Sequence, residues 1–260
     1  MDVVYFLKHS QFEDVEIRYS LRSIARHCPW VRKVWVFGDR PLFLSEDTTI
    51  VEHVPHDTFS RALGFPNPMT NFFQMLFSSS LIPELDSEYL WFCDDFFVIK
   101  DWTIEQARTL RYLQDMDSLQ RRGRGLWLDS LWRTYDVLRR FKLPRLNYET
   151  HVPTYYRKHW PLEAYAQFRD FVTDDRWYGL LGPTAILNHA VAKNGLTPIC
   201  IKDEGCRAGF WGESPSFDDV VVACHGRQFL NFDDKAMGPG IRQYLDVQFP
   251  ERSKYEKPDA

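Results

Sequence analysis

Over its first hundred residues the chain alternates short apolar runs with amphipathic stretches, the pattern of strands and helices taken in turn. Val3 to Leu7 is an uninterrupted apolar run of strand length, and such a run predicts a strand buried on both faces. Residues 14–28 then place Ile17, Leu21, Ile24, Ala25 and Cys28 on one helical face and Arg18, Arg22 and Arg26 on the other. Glu13, Asp14 and Glu16 suit the positive end of that helix, and Pro29 stops it. Val34–Phe37 reads as a second strand closed by Gly38-Asp39, Thr49–Val51 as a third, and residues 70–80 as a helix leading to the strand Tyr89–Cys93. Strand and helix in alternation predict a parallel, Rossmann-like sheet.

Past residue 103 the pattern changes. Residues 104–160 are predicted mostly helical, with Leu128, Leu131, Trp132, Tyr135 and Leu138 as an apolar stripe and Arg121-Arg122-Gly123-Arg124 as a basic turn before it. Residues 161–200 read as helical with a break at Gly182-Pro183, and Val220–Cys224 as a late strand. No repeat divides the chain, so residues 1–260 are expected to form one elaborated domain: an α/β part over 1–103, a helical insertion over 104–160 and a closing part over 161–260.

Charge adds one thing to this picture. Residues 104–160 carry twelve Lys/Arg and six Asp/Glu, a local +6 in a chain whose formal net charge is −4. Such a segment is either a solvated face or a docking surface for a polyanion. The overall charge argues against general nucleic-acid affinity. Cys28, Cys93, Cys200, Cys206 and Cys224 show no paired spacing, which fits free thiols in a reducing compartment. The N-terminus has no basic, apolar leader pattern, and no apolar run reaches transmembrane length. A soluble cytoplasmic protein with no membrane partner is expected.

The most informative residues for chemistry are Asp94 and Asp95, at the carboxyl end of the apolar run Tyr89–Cys93. Open α/β sheets place ligands beyond the carboxyl ends of their strands. Two adjacent acids there make an oxygen-rich site suited to Mg²⁺ or Mn²⁺ holding a diphosphate, unless one of them merely caps a turn. Arg18 and Arg22, four apart on one helical face, can grip a diphosphate or form surface ion pairs. Asn71 can read a base or sugar, or cap the helix that follows it. His151, with Asp233 and Asp234 far along the chain, can complete a metal site or supply a base, although a lone His is more often structural.

Four stretches in order, "EIRYSLRSIARHCPWVRKVWVFGD", "YLWFCDDFFV", "HVP" and "FDDK…FPERSKYE", resemble the Stealth family of sugar-phosphate transferases. They are also similar to small phage-type glycosyltransferases related to the base J glucosyltransferase, which are expected to modify hydroxymethylated bases in DNA. Both resemblances imply a GT-A-like, Rossmann-related fold for nucleotide-diphosphosugars, with a UDP-sugar as the leading donor. They imply that Cys93-Asp94-Asp95 stands where the family has Asn-Asp-Asp. Asp95 would then be the metal ligand, Asp94 would lie near the donor sugar, and Cys93 would sit where the family's Asn contacts the donor. Arg18 and Arg22 match the arginines of "RYSLRS", and Asn71 matches an Asn ahead of the acidic motif. His151 matches a catalytic candidate, and Asp233 or Asp234 matches a late acidic position; Asp233 is then expected at the metal with Asp95, and His151, Asp94 and Asp234 as the catalytic residues. The third region's arginine has no clear counterpart; Arg176 is the nearest residue. The first strand departs from the family as well, with Phe6-Leu7-Lys8-His9 in place of a Trp-Val-Asp type sequence.

The combined expectation is a metal-dependent glycosyltransferase moving a sugar to a hydroxyl acceptor, a hydroxymethylated DNA base or another compound. Residues 1–103 would bind the donor, 104–160 would meet a polyanionic acceptor (DNA or an anionic glycan), and 161–260 would complete the site. Compactness and the missing arginine set glycosyl transfer ahead of hexose-1-phosphate transfer to a glycan. A non-catalytic sugar- or nucleic-acid-binding module is the rival from another class.

Overall fold

A computed structural model describes residues 1–258. The first part runs β1 (Asp2–Leu7), α1 (Val15–His27), β2 (Val34–Gly38), β3 (Val51–Val54), α2 (Asp57–Leu63), α3 (Phe72–Ser79), β4 (Glu88–Cys93) and β5 (Phe96–Val98). Shorter pieces follow: α4 (Ile104–Ala107), β6 (Arg111–Tyr112), β7 (Gln114–Asp115), α5 (Leu126–Arg140), β8 (Leu146–Asn147) and β9 (Thr154–Arg157). The last part comprises α6 (His159–Phe168), α7 (Gly182–Asn194), β10 (Ile199–Cys200), α8 (Ile201–Glu204), β11 (Arg207–Phe210), α9 (Phe217–Cys224), β12 (Phe229–Phe232) and α10 (Pro239–Gln248).

The apolar runs form the main sheet, ordered β3-β2-β1-β4-β9. Its first four strands are parallel, and β9 joins antiparallel at the edge beside β4. All of β1 is buried, as a central strand covered on both faces must be. The register sets Phe6 opposite Cys93 and Leu7 opposite Gly38, so β1, β2 and β4 end together at one edge. Beyond β4 the chain turns at Asp94-Asp95 into β5, which pairs with β12 and, through it, β11 in a second, three-stranded sheet.

Several sequence expectations change. Residues 104–160 hold one long helix, α5; the remainder is short helical turns, short strands and loop, and residues 154–157 belong to the main sheet. Val220–Cys224 is helical: Ser216 and Asp219 form a reciprocal cap at the start of α9, and Val221 and Val222 face solvent. Gly182-Pro183 begins α7 instead of interrupting a longer helix, a position where the missing proline N–H costs no hydrogen bond. The third strand starts at Val51, because Asp47 accepts the Thr49 N–H at 3.0 Å and holds residues 47–50 in a turn. Among the described residues no helix is long and apolar enough to cross a membrane.

Candidate active site

A cavity of about 540 Å³ opens where β1 and β4 end. Lys8 follows β1, Glu16 comes from the first turn of α1, and Cys93, Asp94 and Asp95 close β4. Glu149 and His151 come from the loop before β9, Arg176 from the loop before α7, and Asp233, Asp234 and Lys235 from the loop after β12.

One side of this cavity is acidic. The pKa of Asp94 is raised to about 7, first by burial, then by the nearby charges of Glu16 and Asp234. That of Asp95 is raised by burial, then by Asp94, with Asp234 and Glu16 adding to it. Glu16 is raised as well, chiefly by burial, although the Ser10 hydroxyl donates to it at 2.8 Å. The charges acting most strongly on the pair are therefore all negative, an arrangement that favours a bound proton or a cation. Cys93 beside them is a neutral thiol, its pKa pushed well up by burial and by both carboxylates. Among the described residues no three His, Cys, Asp or Glu side chains form a ready metal cage. A Mg²⁺-type ion shared with a diphosphate needs only one or two carboxylates, and Asp94 and Asp95 fit that requirement.

The two late acids differ. Asp233 accepts backbone N–H groups from Gly212, at 3.1 and 3.2 Å, and from Ala236, at 2.9 Å, so its carboxylate is engaged in holding its own loop. Asp234 is exposed and acts on the Asp94–Asp95 pair by charge.

The other side is cationic and aromatic. Arg176 stacks between Phe72 and Trp177, at 4.5 and 4.6 Å, and no acid among the described residues forms an ion pair with it. His151 occupies the left-handed region, with φ 54°, a costly conformation for a residue with a side chain. Its ring meets Trp211 edge-on at 6.1 Å, and Arg207 stacks on the same Trp211 at 4.9 Å. Solvent reaches His151 at the rim, but the surrounding protein and then the charges of Arg207 and Arg176 disfavour its cation. Its pKa falls to about 4, and the ring is neutral at pH 7. Glu149 is raised to about 7 by burial, against the opposing pull of Arg176 and of the Thr184 hydroxyl at 3.4 Å.

Three nominated residues lie outside the cavity. Arg22 makes a two-pronged ion pair with buried Glu256, at 2.9 and 2.8 Å, and donates to the Phe249 carbonyl at 3.2 Å. Arg18 stacks on Phe43 at 4.4 Å and lies 3.9 Å from the same Glu256. The arginine face of α1 thus meets the C-terminal segment, because a carboxylate buried there requires a cation. Asn71 caps α3: its side chain accepts the Phe73 N–H at 2.8 Å and donates to the Asp175 carbonyl at 3.1 Å. By that second bond it steadies the loop that carries Arg176.

The basic segment is also partly neutralised by the fold. Arg108 pairs with Glu88, Arg111 with Glu204, Arg121 with Asp136 and Arg145 with Asp117. Arg133 donates to the carbonyls of Trp177 and Gly179, and Lys158 to those of Ile82, Pro83 and Leu85.

Glu16 and Glu149 were not singled out from the sequence. The only signals were that Glu16 opens the helix following β1, and that Glu149 stands two residues before His151.

Residues 11–115 match the model for Stealth protein CR2, conserved region 2. The chain is 36% identical over 97 residues to the human N-acetylglucosamine-1-phosphotransferase subunits alpha/beta, covering 35% of this chain and 8% of that protein. Against the mouse protein of the same name the figure is 46% over 61 residues, 22% of this chain and 5% of that one. The chain therefore spans under a tenth of the length of these relatives. The WbbM bifunctional glycosyltransferase structure aligns with 97% of this chain and 50% of its own, at a TM-score of 0.52 and 8% identity. The fold is accordingly GT-A-like, and the Stealth-type resemblance rests on residues 11–115.

Proposed function

We propose that this chain, which carries the Stealth conserved region 2 on a GT-A-like fold, is a transferase that moves the sugar part of a nucleotide-diphosphosugar to an acceptor hydroxyl. One observation carries the reading: the cavity holds a carboxylate pair, Asp94 and Asp95, whose strongest neighbouring charges are negative, together with a guanidinium, Arg176, that forms no ion pair among the described residues. A sugar diphosphate has the complementary demands, since its phosphates need cations and its sugar hydroxyls need acceptors.

Asp94 and Asp95 would hold the Mg²⁺ or Mn²⁺, which supplies Lewis-acid neutralisation of the diphosphate when bound. Arg176, resting over the rings of Phe72 and Trp177, adds positive charge where the leaving phosphate gains negative charge. Neutral His151 can accept a hydrogen bond from an incoming hydroxyl. Asp234 lies with the acids at the donor side.

Arg176 also bears on what is transferred. The sequence argued for glycosyl transfer partly because the family's third-region arginine lacked a counterpart. Arg176 lines the cavity together with His151 and acts on its charge. This placement, with the similarity to N-acetylglucosamine-1-phosphotransferase, favours transfer of a hexose 1-phosphate. The ion pairing of the 104–160 segment gives no support to a DNA acceptor.

The deciding experiment offers a panel of UDP-hexoses and UDP-N-acetylhexosamines with Mn²⁺ to the purified protein, alongside saccharide and hydroxymethylated-DNA acceptors. Released nucleoside monophosphate, with an acceptor heavier by a sugar phosphate, identifies phosphosugar transfer. Released nucleoside diphosphate identifies glycosyl transfer. No nucleotide release from any donor refutes the transferase reading.

A further inference from the structure

A side chamber of about 130 Å³ adjoins the main cavity, and Phe72, Glu149, His151 and Arg176 line both. Its own walls include Trp127 and Trp177. Trp127 stands in the first turn of α5, 37% exposed, so the chamber lies open to solvent on that side. The Trp177 wall is tied to α5, because Ser130 and Arg133 both donate to the Trp177 carbonyl. The floor is fixed as well. At Gly182 a Cβ would come within 2.4 Å of the Phe73 nitrogen, so the start of α7 lies directly against α3. Glu149 lines both spaces, and among the described residues its carboxylate accepts a hydrogen bond only from the Thr184 hydroxyl, at 3.4 Å.

We propose that this chamber is the acceptor subsite, that it takes a neutral saccharide ring against Trp127, and that Glu149 removes the proton from the reacting hydroxyl. The proposal rests on the transferase reading above and assigns the acceptor side of the same site. Indole faces match the C–H face of a pyranose, and a carboxylate at the mouth matches its hydroxyl edge. The arginines that would suit an anionic polymer line a different groove, with Arg121, Arg122 and Arg140 beside Asp129 and Asp136.

In the step itself the acceptor O–H bond breaks and its proton passes to a Glu149 carboxylate oxygen. The freed oxygen pair forms a bond to the electrophilic centre of the donor, the β-phosphorus or the anomeric carbon. The bond from that centre to the nucleotide's phosphate oxygen breaks, and its electron pair stays on that oxygen. Glu149 then returns the proton to solvent. Burial that lifts the Glu149 pKa to about 7 suits a base working near neutrality, whereas His151 at about 4 is a much weaker one.

The test uses the full chain with Mn²⁺, the UDP-sugar that wild type turns over, and the methyl glycosides of common hexoses and N-acetylhexosamines as acceptors. Glu149→Gln should lower kcat for transfer by about a hundredfold or more, with unchanged donor affinity by calorimetry. It should also shift the acidic limb of the pH profile, measured with Mn²⁺ and donor saturating at every pH. Trp127→Ala should raise KM for the glycoside about tenfold without weakening donor binding. Thermal melts of both variants, and partial recovery with Glu149→Asp, separate a chemical role from misfolding. A wild-type rate and pH profile in Glu149→Gln would overturn the inference. So would a Trp127→Ala effect on donor affinity alone, or a wild type that transfers only to hydroxymethylated DNA. Donor cleavage by wild type in water shows in each case that the transferase reading itself survives.

Discussion

The side-chain amide of Asn231 donates to the carboxylate of Asp95 at 2.6 Å. The antiparallel pairing of β5 and β12 sets Asn231 opposite Phe96, the residue after Asp95, so the second sheet reaches across to orient the acid at the end of the first. Asn231 is wholly buried, and its side-chain carbonyl oxygen has no hydrogen-bond partner among the described residues. Loss of this contact should disturb Asp95 more than it disturbs the fold. Asn231→Ala is expected to weaken Mn²⁺ activation about tenfold, as for other groups that orient a metal ligand, with donor binding in the absence of metal unchanged. A titration of activity against Mn²⁺ reads this directly.

Asp95→Asn should inactivate the protein and yet stabilise its metal-free form. The folded acids hold protons more tightly than unfolded ones, with Asp94 at about 7 and Asp95 and Glu16 also raised. From the ordinary carboxylate range up to about pH 7 the folded state therefore binds more protons, and stability falls as pH rises through that window. His151, lowered to about 4, acts in the opposite direction below its ordinary value of 6.5. Between about pH 6.5 and 7 the raised carboxylates act without that opposition, and the metal-free melting temperature should drop. Millimolar MnCl₂ should restore it, because a ligand bound only by the folded state stabilises that state. Asp95→Asn should flatten the pH trend, remove the Mn²⁺ response and raise the metal-free Tm by a few degrees, about 2–4 °C per kcal/mol for a chain of this size. Scanning calorimetry at several pH values is the measurement.

Arg22 is expected to govern stability and not donor affinity. Glu256 is fully buried at its side chain and bound by both prongs of Arg22. Breaking such a pair leaves a buried charge alone and costs about 3 kcal/mol. Glu256→Ala and Arg22→Ala should each lower the urea midpoint accordingly. Affinity for UDP, compared at equal folded fraction, should not change. A selective loss of UDP affinity in Arg22→Ala would return this residue to the diphosphate site.

Arg176→Lys should be nearly as damaging as Arg176→Ala. The guanidinium lies over the rings of Phe72 and Trp177, and an ammonium neither stacks in the same way nor donates two parallel hydrogen bonds to a phosphate. A turnover loss on the order of a hundredfold is expected for either change, in line with removal of a donor that stabilises developing charge. Comparison of kcat with UDP binding separates this from a packing defect.

Much of the fold follows from the sequence alone. A strand covered on both faces must be apolar throughout, so β1, β2 and β4 announce themselves as runs, and α1 announces itself by its 3.6-residue stripe. Asp94 and Asp95 stand out for the same reason, since charge directly after a buried strand needs an explanation. Local patterning misleads where local and long-range forces disagree. Val220–Val222 has strand propensity, but its cap and its packing beside α10 make it helical. The 104–160 segment contributes β9 because the free edge of β4 offers hydrogen bonds that a helix would not satisfy.

Tertiary packing added Glu16 and Glu149 to the cavity and removed Arg18, Arg22 and Asn71 from it. Glu16, Asp94, Glu149, Arg176 and Asp234 come from five separate parts of the chain, and nothing in the neighbourhood of any one of them points to the others. Arg18 and Arg22 have the spacing of an anion clamp, yet Glu256, 234 residues beyond Arg22, claims the charge. Side-chain periodicity reports which face of an element is buried. Which charge a buried group meets there depends on how distant elements pack, and the energetic demand to neutralise a buried carboxylate then decides whether an arginine serves the fold or the ligand.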